Sequence, residues 1–435
     1  MSTEPRPVPG AGAGDRGSAY LVGMVWPKAS SATVEEHLDE LSALADTAGF
    51  REAGRAILPL REPSPATLMG KGQAVDVGVV ARGTGASLVI VDEDLSPAQV
   101  KNLEKAFELP VVDRAGLIID IFAARARSRE ARTQVEMAQL EYLLPRLAGR
   151  WAHLSRQVGG GPGGTKGEGE KQIELDRRMI RHRIDHLRRD IERVGRAREV
   201  RRHGRAATPQ AAFVGYTNVG KSSLFNAIVS AGVFVEDRLF ATLDPTVRKV
   251  ELGKRGAFLL KDTVGFIRKL PHHLVASFRT TFDEAAEADL LLLVVDASHP
   301  SGLEQMEIAE SVLKETAAVD LPRLLVFNKA DRLGAEERDW LRERRPEAHV
   351  VSARTGQGVH DLVLAIADRL LGREEIETLS LPPERGDLLA RADRVATIER
   401  VDEGPGGVLH VTLRATERAL DELRRALDGA KEARQ

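Results

Sequence analysis

The stretch "FVGYTNVGKSSLFNAI" (213–228) decides the fold. It fits G-x-x-x-x-G-K-[ST] over 215–222, with a strand-like run before it and an amphipathic helix pattern after it. Each residue type has a physical reason. Gly215 and Gly220 let the backbone curl around phosphate oxygens, and Tyr216, Thr217, Asn218 and Val219 between them supply backbone N–H groups. The helix start adds positive potential. Lys221 is expected to reach the outer phosphates, and the Ser222 hydroxyl to ligate Mg²⁺. Strand, loop and helix in this order predict an α/β architecture.

Three further elements follow in order. "KDTVG" (261–265) ends a strand and gives D-x-x-G. There Asp262 would hold Mg²⁺ through water, Thr263 and Val264 line the turn, and the Gly265 N–H would sense a γ-phosphate. "LLVFNKAD" (324–331) supplies Asn328, Lys329, Ala330 and Asp331. The Asp331 carboxylate can accept hydrogen bonds from N1–H and N2–H₂ of guanine, a donor pair that adenine lacks. "VVSARTGQG" (350–358) places Ser352, Ala353 and Arg354 after another strand, with the Ala353 N–H able to meet guanine O6. Together these select GTP over ATP, and their order resembles the translation-factor class of P-loop GTPases.

Between the loop and Asp262, "LFATLDPT" (239–246) offers Thr242 or Thr246 as the threonine closing over γ-phosphate and Mg²⁺. Similar GTPases place that threonine near a phenylalanine, as Phe240 stands to Thr242. Thr242 is therefore chosen, with Ala241, Leu243 and Asp244 as its neighbours in the nucleotide set. Two departures matter. Phe266 stands where small GTPases carry the glutamine that orients the attacking water. The catalytic set is then Lys221, Thr242 and Gly265, and intrinsic hydrolysis is expected to be slow and partner-stimulated. Asn218 either holds a K⁺ ion beside the phosphates or merely stabilises the loop.

The rest of the chain frames this domain. Its 435 residues are 42% hydrophobic and 29% charged, enough for several cores. With no cysteine, disulfides, thiolate metal sites and cysteine nucleophiles are excluded. The longest aliphatic run, 290–295, is far too short to span a bilayer. We read 1–18 as a disordered tail and 19–115 as a small parallel α/β unit. In that unit "YLVGMVW" (20–26), "SLVIVD" (87–92) and "PVVD" (110–113) read as strands. Val34, Leu38, Leu41 and Leu44 mark a first helix, and Ser96 with Pro97 start another. Residues 116–204 read as a long helical hairpin, 205–373 as the P-loop GTPase domain, and 374–435 as a small α+β domain.

In the hairpin, one long helix is expected over 117–147 and a second from about residue 171. Ile180, Ile184, Leu187, Ile191 and Val194 have heptad spacing and should pack on Met137, Leu140, Leu144 and Leu147 in an antiparallel pair. Residues 171–205 carry one lysine and twelve arginines against six acids. That excess suits either a solvated face or a polyanion. "GGGPGGTKGEGEKQ" (159–172) sits between the helices. It nearly mimics a phosphate loop, but Thr165 and Lys166 are in inverted order, so a flexible hairpin tip (159–169) is the better reading.

"LSPAQVKNLEKAFELPVVDRAGLIIDIFAARARSREARTQVEMAQLEYLLPRL" (95–147), "GTKGEGEKQIELDRRMIRHRI" (164–184), "GYTNVGKSSLFN", "FATLDPT" and "DTVGFIRKLPHHLVASF" together resemble the HflX family of ribosome-associated GTPases. The resemblance covers about 19–372 and only loosely the C-terminal part. It implies GTP and GDP as ligands with Mg²⁺, a large-ribosomal-subunit partner contacted through rRNA, and GTP-dependent splitting of stalled or idle 70S ribosomes. The N-terminal part is said to reach the peptidyl transferase centre through its hairpin loop. Gly163, Gly164, Lys166, Arg177, Arg178 and Arg181 would be the ribosome contacts. A monomeric, cytoplasmic protein without stable membrane insertion is expected, loose membrane association being the alternative. Family members have also been credited with a second, ATP site, and Gly70-Lys71-Gly72 is either that or a tight βα turn. The rival functions are a GTP-gated switch in large-subunit assembly or dormancy, and a nucleotide-binding rRNA remodeller.

Overall fold

The computed structural model describes residues 16–27, 30–147, 166–203, 208–229, 239–240, 246–269, 285–314, 316, 318–383 and 385–432, but not the side chains of 166–173, 195, 197–203 and 428–432. The chain has the α/β class read from its sequence. It divides into two compact units: Met1–Gly204 with Glu236–Asp244 and Ile267–Thr280, and Arg205–Val235 with Pro245–Phe266 and Thr281–Gln435.

In the first unit, β1 (Ser18–Val25), β2 (Arg51–Pro59), β3 (Leu88–Val91) and β4 (Val111–Asp113) form an all-parallel sheet in the order β2-β1-β3-β4. The sequence pattern predicts three of these strands. The fourth, β2, reads "REAGRAILP", whose scattered charges suit an edge strand but hide it from a search for apolar runs. Helices α1 (Ser31–Thr47), α2 (Lys71–Gly83), α3 (Pro97–Phe107) and α4 (Arg114–Arg125) pack around the sheet. Val22, Val89, Val91, Leu103 and Phe107 lie in its core.

A single helix over 117–147 does not form. Ala126 turns extended after α4, and the Ser128 hydroxyl accepts from Ala131 N at 3.0 Å to cap a new helix, α5 (Arg129–Leu143). The second long helix, α6 (Lys166–His203), starts about five residues earlier than the pattern suggests. So Lys166 is helical, while Gly163 and Gly164 lie outside the described residues.

Most of the expected apolar partners are brought together: Ile180, Ile184, Leu187 and Ile191 pack against Met137, Leu140 and Leu144. Val194 is left exposed. The direction, however, is the reverse of the expectation. Arg183 pairs with Glu136 at 2.7 Å and Arg188 with Glu141 at 3.3 Å, both 47 residues apart. A constant difference, rather than a constant sum, means that α5 and α6 run parallel. The two described helices are therefore not an antiparallel pair; of the expected tip 159–169, residues 166–169 belong to α6 and 159–165 lie outside the described residues.

The first unit also gathers charge at the carboxyl end of β3. Arg114, almost wholly buried, pairs with Asp92 at 2.6 Å and with Glu40. Lys269 Nζ reaches Asp92 Oδ2 at 2.9 Å and Glu93 Oε1 at 2.8 Å. Beside them His37 is held below its ordinary pKa, first by burial and then by Lys269 and Arg268.

In the second unit a six-stranded sheet has the order β10-β9-β8-β5-β7-β6. Its strands are β5 (Gln210–Gly215), β6 (Thr246–Glu251), β7 (Ala257–Asp262), β8 (Leu290–Asp296), β9 (Arg323–Asn328) and β10 (His349–Val350). All are parallel except edge strand β6, which pairs antiparallel with β7. Every residue of β8 is buried, as its unbroken aliphatic run demands. Among the helices of this unit are α7 (Lys221–Val229), α8 (Gly302–Lys314), α9 (Ala335–Arg344) and α10 (Val359–Leu371). A smaller antiparallel sheet follows: β11 (Glu374–Leu381), β12 (Thr397–Glu403) and β13 (Leu409–Thr416), in the order β11-β13-β12. It is packed with α11 (Gly386–Val395) and α12 (Glu417–Glu432) around Leu379, Leu388, Val411, Leu413 and Leu420. Among the described residues no helix is long and apolar enough to cross a membrane.

Candidate functional site

In the six-stranded sheet, β5 has β7 on one side and β8 on the other, so the chain reverses its winding direction there. Such a switch point opens a crevice beyond the carboxyl ends of parallel strands. The four sequence elements all lie at those ends, after β5, β7, β9 and β10.

The loop after β5 is shaped by two glycines. Gly215 has φ +145° and Gly220 φ +90°, and a Cβ on either would strike, respectively, the Val294 carbonyl and the Asn328 amide. Asn218 is exposed and left-handed at φ 61°, a conformation that asparagine tolerates better than most residues. Lys221 opens α7 with its side chain buried, its Nζ donating to Tyr216 O at 2.7 Å and Gly215 O at 3.2 Å. Burial brings its pKa down to about 8, with Asp262 acting in the opposite sense.

That value gives a pH prediction. Anionic phosphates favour the charged amine, so binding above pH 8 must take up a proton. GDP affinity should hold steady below about pH 7.5 and be about fourfold weaker at pH 8.5. Calorimetry in two buffers of different ionisation enthalpy reads this proton directly. Absence of uptake at pH 8.5 would refute the assignment to Lys221.

Ser222 Oγ donates to Asp262 Oδ2 at 2.6 Å, at the end of β7. Hydroxyl and carboxylate are the hard oxygen donors that Mg²⁺ prefers. Thr263 Oγ1 is used internally, donating to Phe213 O. Val264 is buried, and Gly265 lies against Lys221 Nζ and Thr217. Phe266 is buried too. Its N–H donates to Gly215 O at 3.0 Å, and its carbonyl accepts from Thr217 N at 2.7 Å. Its backbone thus ties this segment to the loop, while its side chain offers no polar atom.

On the other side of the crevice, Asn328 is buried and spans two elements. Its Nδ2 donates to Val219 O at 2.9 Å, and its Oδ1 accepts from Ala353 N at 3.0 Å. Asp331 Oδ1 accepts from Ser352 Oγ at 2.7 Å, and Arg354 lies 3.7 Å from Oδ2. The Ser352 hydrogen bond, helped by Arg354, holds the Asp331 carboxyl below the usual carboxylate range. It stays an acceptor at neutral pH. Ala330 is buried and tied by its N–H to Val351 O.

One residue of this constellation was not singled out from the sequence. Asp296, at the end of β8 and in register with Asn328, pairs with Lys329 Nζ at 2.8 Å. Its other oxygen accepts from Ser298 N and Oγ. Lys329 is left-handed at φ 64°, so this ion pair fixes a side chain on an otherwise strained backbone. An aspartate closing the apolar run "LLLLVVD" was the available signal.

Thr242, Ala241, Leu243 and Asp244 lie outside the described residues. The alternative, Thr246, is the first residue of β6. Phe240 belongs to the first unit, where its ring meets Phe122 edge-on, centroids 4.7 Å apart.

The chain is similar to known proteins. A family model described as "GTP-binding GTPase N-terminal" matches residues 35–123, "GTP-binding GTPase Middle Region" matches 125–205, and "50S ribosome-binding GTPase" matches 210–329. The chain is 46% identical over 370 residues to the GTPase HflX of Escherichia coli (strain K12), covering 84% of this chain and 86% of that relative. It is 44% identical over 392 residues to the GTPase HflX of Magnetococcus marinus, covering 89% and 90%. A GTP-binding protein from the hyperthermophilic archaeon Sulfolobus solfataricus, solved with GDP, is 23% identical with a TM-score of 0.44, covering 80% of this chain and 99% of that one.

Proposed function

The chain belongs to the HflX family of GTPases, and from that premise we propose that it binds the large ribosomal subunit and uses GTP to split stalled or idle 70S ribosomes. As a GTPase it binds guanine nucleotide and converts GTP to GDP and phosphate. The ribosomal part of the reading is carried by the match of residues 210–329 to a model described as a 50S ribosome-binding GTPase.

The charge of α6 supports an rRNA contact. Its apolar stripe is turned toward α5, while Arg178 and Arg181 are exposed and Arg177 is half-buried. Replacing Arg177 and Arg178 by alanine should weaken binding to large subunits. It should also lower the slope of log affinity against log salt by roughly 1–2, with GDP affinity unchanged. An unaltered slope would place the contact elsewhere.

At the nucleotide, Asn328, Asp331 and Ala353 would read guanine, and Lys221 with the loop N–H groups would hold the phosphates. Ser222, Asp262 through water, and Thr242 would hold Mg²⁺, which when bound neutralises charge on the β- and γ-phosphates. With Phe266 unable to orient water, hydrolysis should be slow until large subunits are added. A K⁺ ion at exposed Asn218 is a further reading, tested by comparing turnover in K⁺ and Na⁺ buffers. Gly70 is the N-cap of α2, its N–H donating to Gln73 Oε1 at 3.0 Å, and Lys71 and Gly72 open that helix; an ATP site there is a further reading, tested by ATP titration.

The decisive experiment is sedimentation of 70S particles with the protein and a non-hydrolysable GTP analogue, beside a GTPase assay with and without large subunits. Conversion of 70S peaks to subunits supports splitting. Persistent 70S peaks at saturating protein would leave a GTP-gated binding switch.

A further inference from the structure

Thr217 sits in the middle of the 215–222 loop, 5% exposed. Its hydroxyl oxygen is the only buried hydroxyl among the described residues that finds no hydrogen-bond partner. The neighbouring hydroxyls behave otherwise: Ser222 donates to Asp262, and Thr263 donates to Phe213 O. Leaving a buried hydroxyl unpaired costs about 1–3 kcal/mol, so a threonine here calls for an explanation that valine would not satisfy.

Its surroundings supply one. The backbone of Thr217 is fixed by the hydrogen bond from its N–H to Phe266 O at 2.7 Å. Gly265 lies directly against it: a Cβ on that glycine would stand 2.8 Å from Thr217 Cα, 2.9 Å from Thr217 Cγ2 and 2.7 Å from Lys221 Nζ. Thr217 therefore shares one small region with the amine expected on the outer phosphates and the glycine expected to sense the γ-phosphate. The adjoining position, Phe266, brings no polar side-chain atom to that region.

We infer that Thr217 is a catalytic residue whose hydroxyl donates a hydrogen bond to the γ-phosphate of GTP, an interaction that strengthens as the phosphate breaks away. This rests on the reading of 215–222 as the GTP loop. In the step it assists, the oxygen of water bonds to the γ-phosphorus. The bond from that phosphorus to the β,γ-bridging oxygen breaks, with its electron pair leaving on GDP. The protons of water pass to the released phosphate and the medium, and Thr217 keeps its own.

The test uses the full chain with Thr217→Val, which keeps shape and removes the hydroxyl, and Thr217→Ser, which keeps the hydroxyl. Single-turnover hydrolysis should slow about 10- to 100-fold in the valine variant and stay within about threefold of the parent in the serine variant. GDP, lacking a γ-phosphate, should bind the valine variant within about twofold of the parent. The affinity for GppNHp relative to GDP should fall about tenfold. Parent-like hydrolysis in the valine variant would overturn the inference. So would an equal loss of GDP and GppNHp affinity, which would make Thr217 a loop-shaping residue, or a serine variant as slow as valine. Failure of the underlying loop reading would look different, as GDP binding that survives Lys221→Met.

Discussion

Replacing Lys221 by methionine is expected to lower GDP affinity by about 10²–10³-fold, because hydrogen bonds from a charged donor are worth about 1.5–3 kcal/mol each. The same change should leave the unliganded protein no less stable. In the free protein the ammonium is buried among backbone carbonyls, and burial depresses its pKa to about 8. A depressed lysine pKa means that the unfolded chain binds the proton more tightly. Ionisation therefore costs stability at every pH below about 8, and the cost fades as pH rises from there toward 10.5. Relieving it contributes at most about 3 kcal/mol at neutral pH, reduced by the loss of two hydrogen bonds. Urea unfolding at pH 7 and pH 10, beside GDP titration, separates the two effects. Retained GDP binding would remove Lys221 from the phosphate site. Unfolding of the variant would mean that the amine is needed for the loop itself.

Asp331→Asn should cost about 10³-fold or more in GTP affinity, since a site built around one donor–acceptor pattern rejects a mismatched base strongly. An ionised carboxylate accepts at both oxygens; a carboxamide accepts at one and donates at the other. Guanine presents two donors to this position, whereas xanthine presents N1–H and a C2 carbonyl. The variant should therefore gain XTP binding as it loses GTP. Ser352 helps the parent by keeping Asp331 ionised, and in the variant its hydroxyl can still donate to the amide oxygen. Competition of GTP and XTP for one fluorescent nucleotide reads the exchange, and a variant that still prefers GTP would show that Asp331 does not read the base.

The nucleotide elements were legible because each is a contiguous run whose residue types have one good physical use, and because β5, β8 and β9 announce themselves as aliphatic runs. What escaped was what depends on pairing across the chain. Strands β2 and β6 carry charged, half-exposed sequences and exist because a neighbour supplies their hydrogen bonds. Asp296 gains meaning only when β9 is set beside it and Lys329 turns back. The break between α4 and α5 was marked by Ser128, but the Ala- and Arg-rich residues on both sides of it are strong helix formers and masked the cap. The heptad stripe of α6 named most of its partners and could not give their direction, since apolar spacing looks the same read either way.

That parallel pairing has a kinetic consequence. An antiparallel hairpin can begin at its turn, where contacts are close in sequence, and zip outward. Between α5 and α6 each paired position lies the same 47 residues from its partner, so there is no near contact to start from. The entropy of closing that loop must be met in full before the first pair forms, and each later pair then adds almost none. The two helices should come together late and all at once, as a single cooperative step in the folding of the first unit.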